Sequence, residues 1–213
     1  TELTNLVSWW DLQGDVNDKH GSNNGTNNGA TLNSNSYSGS SPFKPRIRDK
    51  AQPKMAVQLA DGSTSFDGSN DYIDCGDDTS LDITGALTVS VWAKLDDVSS
   101  IDLVSKTTGW ADDMAYWIGC SATSKVDFLI SDNGTTYSSF GDSTQSTIST
   151  GQWNHFVGVY VPSTSITLYY NGSQEIQKTS SIKSAINNSA ASLTIGKNIG
   201  IGSGYANGSI KNV

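Results

Sequence analysis

The sequence predicts an all-β chain folded as a two-sheet antiparallel β-sandwich, and three observations carry that reading. The first is the run GQWNHFVGVYVPSTSITLYYNGSQEI at residues 151–176. Residues 156–161 are rich in β formers, Pro162-Ser163 interrupts them, residues 166–170 resume, and Asn171-Gly172 closes them with a strong hairpin signal. The second is the alternation in residues 87–94, with apolar odd positions and Thr88, Ser90, Trp92 and Lys94 at the even ones. Period two marks a strand with one buried face. The third is acid usage: of 21 acidic residues only Glu2 and Glu175 are glutamate. Aspartate bonds its own nearby backbone and favours turns over helix interiors.

In chain order, residues 6–12 (LVSWWDL) read as an opening strand with Trp9 facing the core. The polar stretch DVNDKHGSNNGTNNGATL follows, its two Asn-Asn-Gly triplets being either repeated turns or an ion-binding loop. At about 33–60 the chain becomes Ser/Pro-rich and basic, an irregular insertion belonging to no strand. Strand chemistry returns in SFDGSNDYIDCG (65–76), then in residues 87–94, 101–106, 115–120, 125–130 and 137–140, in the 151–176 hairpin, and in 193–196 and 208–213. The expected core includes Trp9, Val89, Val91, Phe156, Val159, Leu168 and Ile195. With no second core segment and no linker, 1–213 reads as one domain.

A net charge of −8 argues against a nucleic-acid partner, which needs a basic stripe. No apolar run approaches the roughly 20 residues of a membrane span. One basic island exists: Lys44, Arg46, Arg48, Lys50 and Lys54, among Pro42, Pro45 and Pro53. It reads either as a solvated loop or as a segment for docking an acidic neighbour, another copy included. Cys75 and Cys120 are expected as small apolar residues packed in strands rather than as a disulfide.

Taken in order, the Trp-bearing first segment with DVNDKHGSNNGT, the SFDGSNDYIDCG turn and strand, LTVSVWAKLDD, and GQWNHF…LYYNG followed by LTIGKN…GYANGSIKNV resemble the laminin-G-like, concanavalin-A-like jelly-roll superfamily. The resemblance implies a jelly roll that binds sugars or partner surfaces at a cell surface, outside the cell or on a virion. It also implies Ca²⁺ at the loop spanning 18–25, with Asp15, Asp18 and Asn24 as ligands. Where relatives carry acidic residues near the end, this chain has Lys211 and Asn212, and it departs from their longer last strand, as if cut inside it.

Catalysis is not expected. Glucanases of this architecture use a Glu-x-Asp-x-Glu strand, and Glu2 and Glu175 stand in no such motif. His155 is expected to serve the framework. Sugar recognition needs an aromatic platform beside hydrogen-bonding groups. The loop 107–113, with Trp110, Asp112 and Asp113, has that chemistry, unless Trp110 folds back over the sandwich edge. Tyr205 and Asn207 form a second rim candidate or solvate a turn. Two functions remain open: a carbohydrate-binding or adhesion module, and a structural or decoration domain packing on neighbouring subunits.

Overall fold

A computed structural model describes residues 5–33, 62–109, 112–120, 125–138, 146–198 and 204–213. Their strands are β1 (Thr26–Asn28), β2 (Thr31–Asn33), β3 (Ser63–Asp67), β4 (Tyr72–Asp74), β5 (Leu87–Leu95), β6 (Ile101–Lys106), β7 (Met114–Cys120), β8 (Val126–Gly134), β9 (Tyr137–Ser138), β10 (Trp153–Val161), β11 (Ser165–Tyr170), β12 (Ser173–Lys178), β13 (Leu193–Ile195) and β14 (Asn207–Lys211). A 3₁₀ turn, Thr79–Leu81, is capped by the Asp78 carboxylate, which accepts from Ser80 N at 2.9 Å. The strands form two antiparallel seven-stranded sheets, ordered β1-β4-β13-β6-β7-β8-β9 and β12-β11-β10-β5-β14-β3-β2.

Alternation builds the second sheet. Leu87, Val89, Val91, Ala93 and Leu95 of β5 point inward and are buried, and Phe156, Tyr160, Ile166 and Leu168 join them. Asn171 and Gly172 both have positive φ, 49° and 82°, the backbone of a tight hairpin turn. Gly158 leaves space for a neighbour: a Cβ there would lie 2.4 Å from the Phe128 ring of the facing sheet. Phe128, Val91, Leu95, Phe156 and Ile195 are fully buried between the sheets.

The first sheet behaves differently, because β6 and β7 are buried on both faces. Tyr116 and Ile118 face the sandwich core, while Met114, Trp117 and Leu129 form a separate apolar cluster. Lys106 is fully buried in this sheet. Its ammonium donates to the Asp77 carboxylate, to Ala191 O at 2.8 Å and to Asp82 at 3.1 Å.

Four expectations need correction. Trp9 is 41% exposed and Trp10 is the buried member of the pair, its Nε1–H donating to Asn23 O at 2.7 Å. Adjacent residues of extended chain face opposite ways, so only one tryptophan can enter the core. The segment 6–12 is not a strand; it makes one isolated bridge, Trp10 with Asp18, and Leu12 bends it with a φ of 56°. Val159 is half-exposed, because its partner across β5 is the solvent-facing Thr88. The Asn-Asn-Gly stretch is more than turns: β1 and β2 flank Gly29-Ala30, and the chain changes sheets between them.

Cys75 and Cys120 are buried free thiols. Burial pushes the Cys120 thiol up to about 12 and raises Cys75 as well. β14 has partners on both sides, β3 and β5. Beyond it, Val213 and Trp10 exchange backbone bonds of 2.9 and 3.0 Å.

Candidate functional site

The solvent side of the second sheet collects aromatic and basic side chains that β pairing brings into one row. His155 of β10 lies opposite Trp92 of β5, and Lys211 of β14 flanks Trp92 on its other side. One register step along, Trp153 faces Lys94. The Trp92 and His155 rings stack at 4.7 Å with an 11° interplanar angle. The Lys211 ammonium sits 4.0 Å from the Trp153 ring centroid and that of Lys94 5.4 Å. His155 Nε2 meets Ser90 Oγ at 2.9 Å. Burial lowers the His155 pKa, which favours its neutral form.

All three rings are half-exposed. Trp10 and Trp117 spend their indole N–H groups within the fold, whereas those of Trp92 and Trp153 have no partner among the described residues. The face therefore offers flat apolar rings, unspent donors and a hydroxyl side by side, a combination that grips a ligand with both apolar and hydroxylated surfaces. The outward positions of β5 and β10 carry no carboxylate. From sequence, Trp92 reads as a strand residue and His155 as framework, and Trp153 carries no assigned role. The signal was Trp92 itself, a large aromatic in the polar phase of its strand.

The residues singled out from sequence are dispersed. Trp110 lies outside the described residues, as do Lys44, Arg46, Arg48 and Lys50. Asp112 is exposed, its backbone held by a bridge to Gly109 and by Thr108 Oγ1, which donates to its carbonyl at 2.9 Å. Asp113 works as a clamp: its carboxylate accepts from Asn187 Nδ2 at 3.1 Å and Ala190 N at 2.9 Å. Its carbonyl accepts from Ser189 Oγ at 2.6 Å. Tyr205 is half-buried, with the Lys197 ammonium 4.7 Å from its ring. Asn207 opens β14 opposite Asp67, its side chain lying over Gly68. The two clusters are not neighbours, because Gly204 bonds Asp102 at one end of β6 and Asp112 follows its other end, about 15 Å away.

The 18–25 loop is organised by its own bonds. Asp18 Oδ1 accepts from Trp9 N, His20 N and Gly21 N at 3.0, 3.0 and 2.9 Å, and Oδ2 from Asn23 N at 3.1 Å. Burial opposes ionisation of Asp18, yet these backbone donors hold its carboxyl below the usual range. Asn24 Oδ1 accepts from Asp18 N at 3.0 Å, and Asp15 chelates the Lys19 ammonium at 2.8 Å. Asp15, Asp18 and Asn24 thus direct their oxygens at separate donors, an arrangement that does not fit a Ca²⁺ ion needing 6–8 converging oxygens.

Residues 67–213 match the family described as the concanavalin A-like lectin/glucanases superfamily. No curated protein sequence matches the chain. Among solved structures, domain 4 of AbnA, an extracellular arabinanase from Geobacillus stearothermophilus in complex with arabinotriose, superposes with a TM-score of 0.63 at 18% identity, over 97% of this chain and 89% of that one. The botulinum neurotoxin serotype D binding domain gives 0.52 at 13% identity, over 71% of this chain and 38% of that one. A complex of the serotype D ligand-binding domain with N-acetylneuraminic acid gives 0.50 at 13%, over 70% and 37%. At these identities the likeness is one of fold.

Proposed function

The chain belongs to the concanavalin A-like lectin/glucanases superfamily, and from that membership we propose that it is a non-catalytic module holding a carbohydrate on the aromatic face of its second sheet. The observation that carries the reading is the Trp92–His155 stack beside Trp153, with both indole N–H groups unspent. A pyranose or furanose laid on Trp92 would bury its C–H face on the ring, while Trp92 Nε1, Trp153 Nε1 and Ser90 Oγ address its hydroxyls. The absence of carboxylates from the outward positions of β5 and β10 supports binding over glycoside hydrolysis, which needs two carboxyl groups about the scissile bond. The arabinotriose held by the arabinanase domain makes that sugar a reasonable first probe. A setting outside the cell or on a cell or virion surface suits such a module, and no described helix is long and apolar enough to cross a membrane.

A second reading, a structural domain packing on neighbouring subunits, draws on Val161, 39% exposed, and the half-exposed Val157 and Val159 along the same face of β10. Glycan-array binding by the wild-type chain and by Trp92→Ala separates the two. The carbohydrate reading expects a glycan that binds the wild type and loses at least about tenfold in Kd, ~1.4 kcal/mol, with the variant. Equal binding by both would remove the face from the site, and self-association without any glycan ligand would favour the packing role.

A further inference from the structure

A second cluster stands on the other side of the sandwich, where the ends of β4 and β13 meet the segment entering β14. The Lys197 ammonium lies between two phenol rings, 4.7 Å from the centroid of Tyr72 and 4.7 Å from that of Tyr205. Its backbone is fixed: Lys197 O accepts from Ser105 Oγ at 2.8 Å and from Thr194 Oγ1 at 2.5 Å. The Tyr205 segment is fixed as well, through Ala206 N donating to Gly196 O at 2.9 Å and Asp102 N donating to Gly204 O at 2.9 Å.

Acidic residues outnumber basic ones 21 to 13 in this chain, yet this ammonium has no ion-pair partner among the described residues. Two carboxylates of the neighbouring turn are engaged there instead. Asp67 Oδ1 accepts from Ser69 N at 2.8 Å and Asn70 N at 3.3 Å, and Asp71 Oδ2 accepts from Asp67 N at 3.0 Å. The hydroxyls of Tyr72 and Tyr205 likewise have no protein partner among the described residues. One cation therefore stands between two phenol rings at a half-exposed place, with no ion pair of its own and no partner for either hydroxyl among the described residues.

The geometry points to a binding site for an acidic sugar unit, one carrying a single carboxylate or sulfate ester, formed by Tyr72, Lys197 and Tyr205. The anionic group takes the Lys197 ammonium, which the rings hold without neutralising it. The phenol hydroxyls bond the anion's remaining oxygens or the adjacent ring hydroxyls, each serving as donor or acceptor. Tyr72 and Lys197 adjoin strands of the first sheet, whereas Trp92 and Trp153 lie on the second, and the two sites share no residue, so either can fail alone.

The test is calorimetric titration of the whole chain with trigalacturonate, with its methyl-esterified neutral form, and with galactose 6-sulfate, using wild type, Lys197→Gln, Tyr205→Phe and Trp92→Ala. The expected result is at least tenfold tighter binding of an acidic probe than of the ester, a difference that Lys197→Gln abolishes and Trp92→Ala leaves intact. Which acidic probe binds distinguishes carboxylate from sulfate. Tyr205→Phe keeps the ring over the cation and removes only the hydroxyl; it is expected to weaken the acidic probe severalfold, which keeps the test decisive if Lys197→Gln fails to fold. Equal affinity for ester and acid, no binding of either acidic probe, or a preference that survives in Lys197→Gln would overturn the inference. So would full acidic-probe affinity in Tyr205→Phe, or a preference lost in Trp92→Ala.

Discussion

Replacing Lys106 with methionine removes a fully buried ammonium and keeps an apolar chain of similar length. Three contacts go with it: the carboxylates of Asp77 and Asp82, and the carbonyl of Ala191. Breaking a buried ion pair from one side costs about 3–5 kcal/mol when the abandoned charge stays dry. Here the acid side chains are 34% and 18% exposed, so water reaches both and the upper end of that range does not apply. The Ala191 carbonyl still loses a charged hydrogen bond, a contribution of about 1.5–3 kcal/mol. The expected loss is ~3 kcal/mol, a drop of roughly 6–12 °C in Tm for a chain of this size. Urea denaturation with an unchanged m-value would measure it. A double variant, Lys106→Met with Asp82→Asn, is expected to recover part of the loss by removing one of the two unpaired acids. A loss under 1 kcal/mol for the single variant, or a double variant that only adds a further penalty, would refute the view that Lys106 ties the 3₁₀ turn and the 188–191 segment to β6.

Three other outcomes are expected. Gly158→Ala should cost about 1–3 kcal/mol of stability by overpacking, since its Cβ would fall 2.4 Å from the Phe128 ring and the ring would have to move; thermal denaturation reads it. Asp102, held by the Trp117 indole, has its pKa pushed up to about 7 by burial. A raised carboxyl pKa stabilises fully below its unfolded value of about 4 and loses that contribution as pH rises through about 7. Stability of Asp102→Asn relative to wild type should therefore improve from pH 4 to pH 8, and an unchanged or opposite trend would contradict the assignment. Adding Ca²⁺ to chelator-treated protein should leave Tm where it was, because Asp15, Asp18 and Asn24 serve other donors; a rise that grows with Ca²⁺ would show that the loop rearranges to bind it.

The second sheet was legible wherever one face is wet. The odd-even pattern of β5 assigns Val89 and Val91 correctly, and Asn171-Gly172 locates the hairpin. Phase is what sequence handled least well. Trp9 and Trp10 are adjacent and equally apolar, so nothing local says which enters the core; the bond from Trp10 to Asn23 decides it. Val159 stands three residues after Phe156, so strand alternation alone sets the two on opposite faces; expecting both in the core overlooked that parity, and Val159 pairs with the outward Thr88. In the first sheet β6 and β7 are buried on both faces and carry no period to read, and the acids that receive Lys106 lie in another segment of the chain. The candidate face was half-legible for the same reason. Trp92 announced itself among Thr88, Ser90 and Lys94, but its stack on His155 exists only through the β5–β10 register. Tyr205 was visible as a rim aromatic, while Tyr72 and Lys197 reach it through the fold.

The most direct test of the carbohydrate face is the indole N–H region of a ¹H–¹⁵N spectrum recorded during titration with arabinotriose or with a glycan found on the array. The chain has six tryptophans, and their indole signals can be assigned by single substitutions. The account predicts that the Trp92 and Trp153 signals move with saturation while those of Trp10 and Trp117, already bonded inside the fold, stay still. Saturable binding that leaves Trp92 and Trp153 unmoved and shifts Trp110 instead would contradict it and return the site to the 107–113 loop.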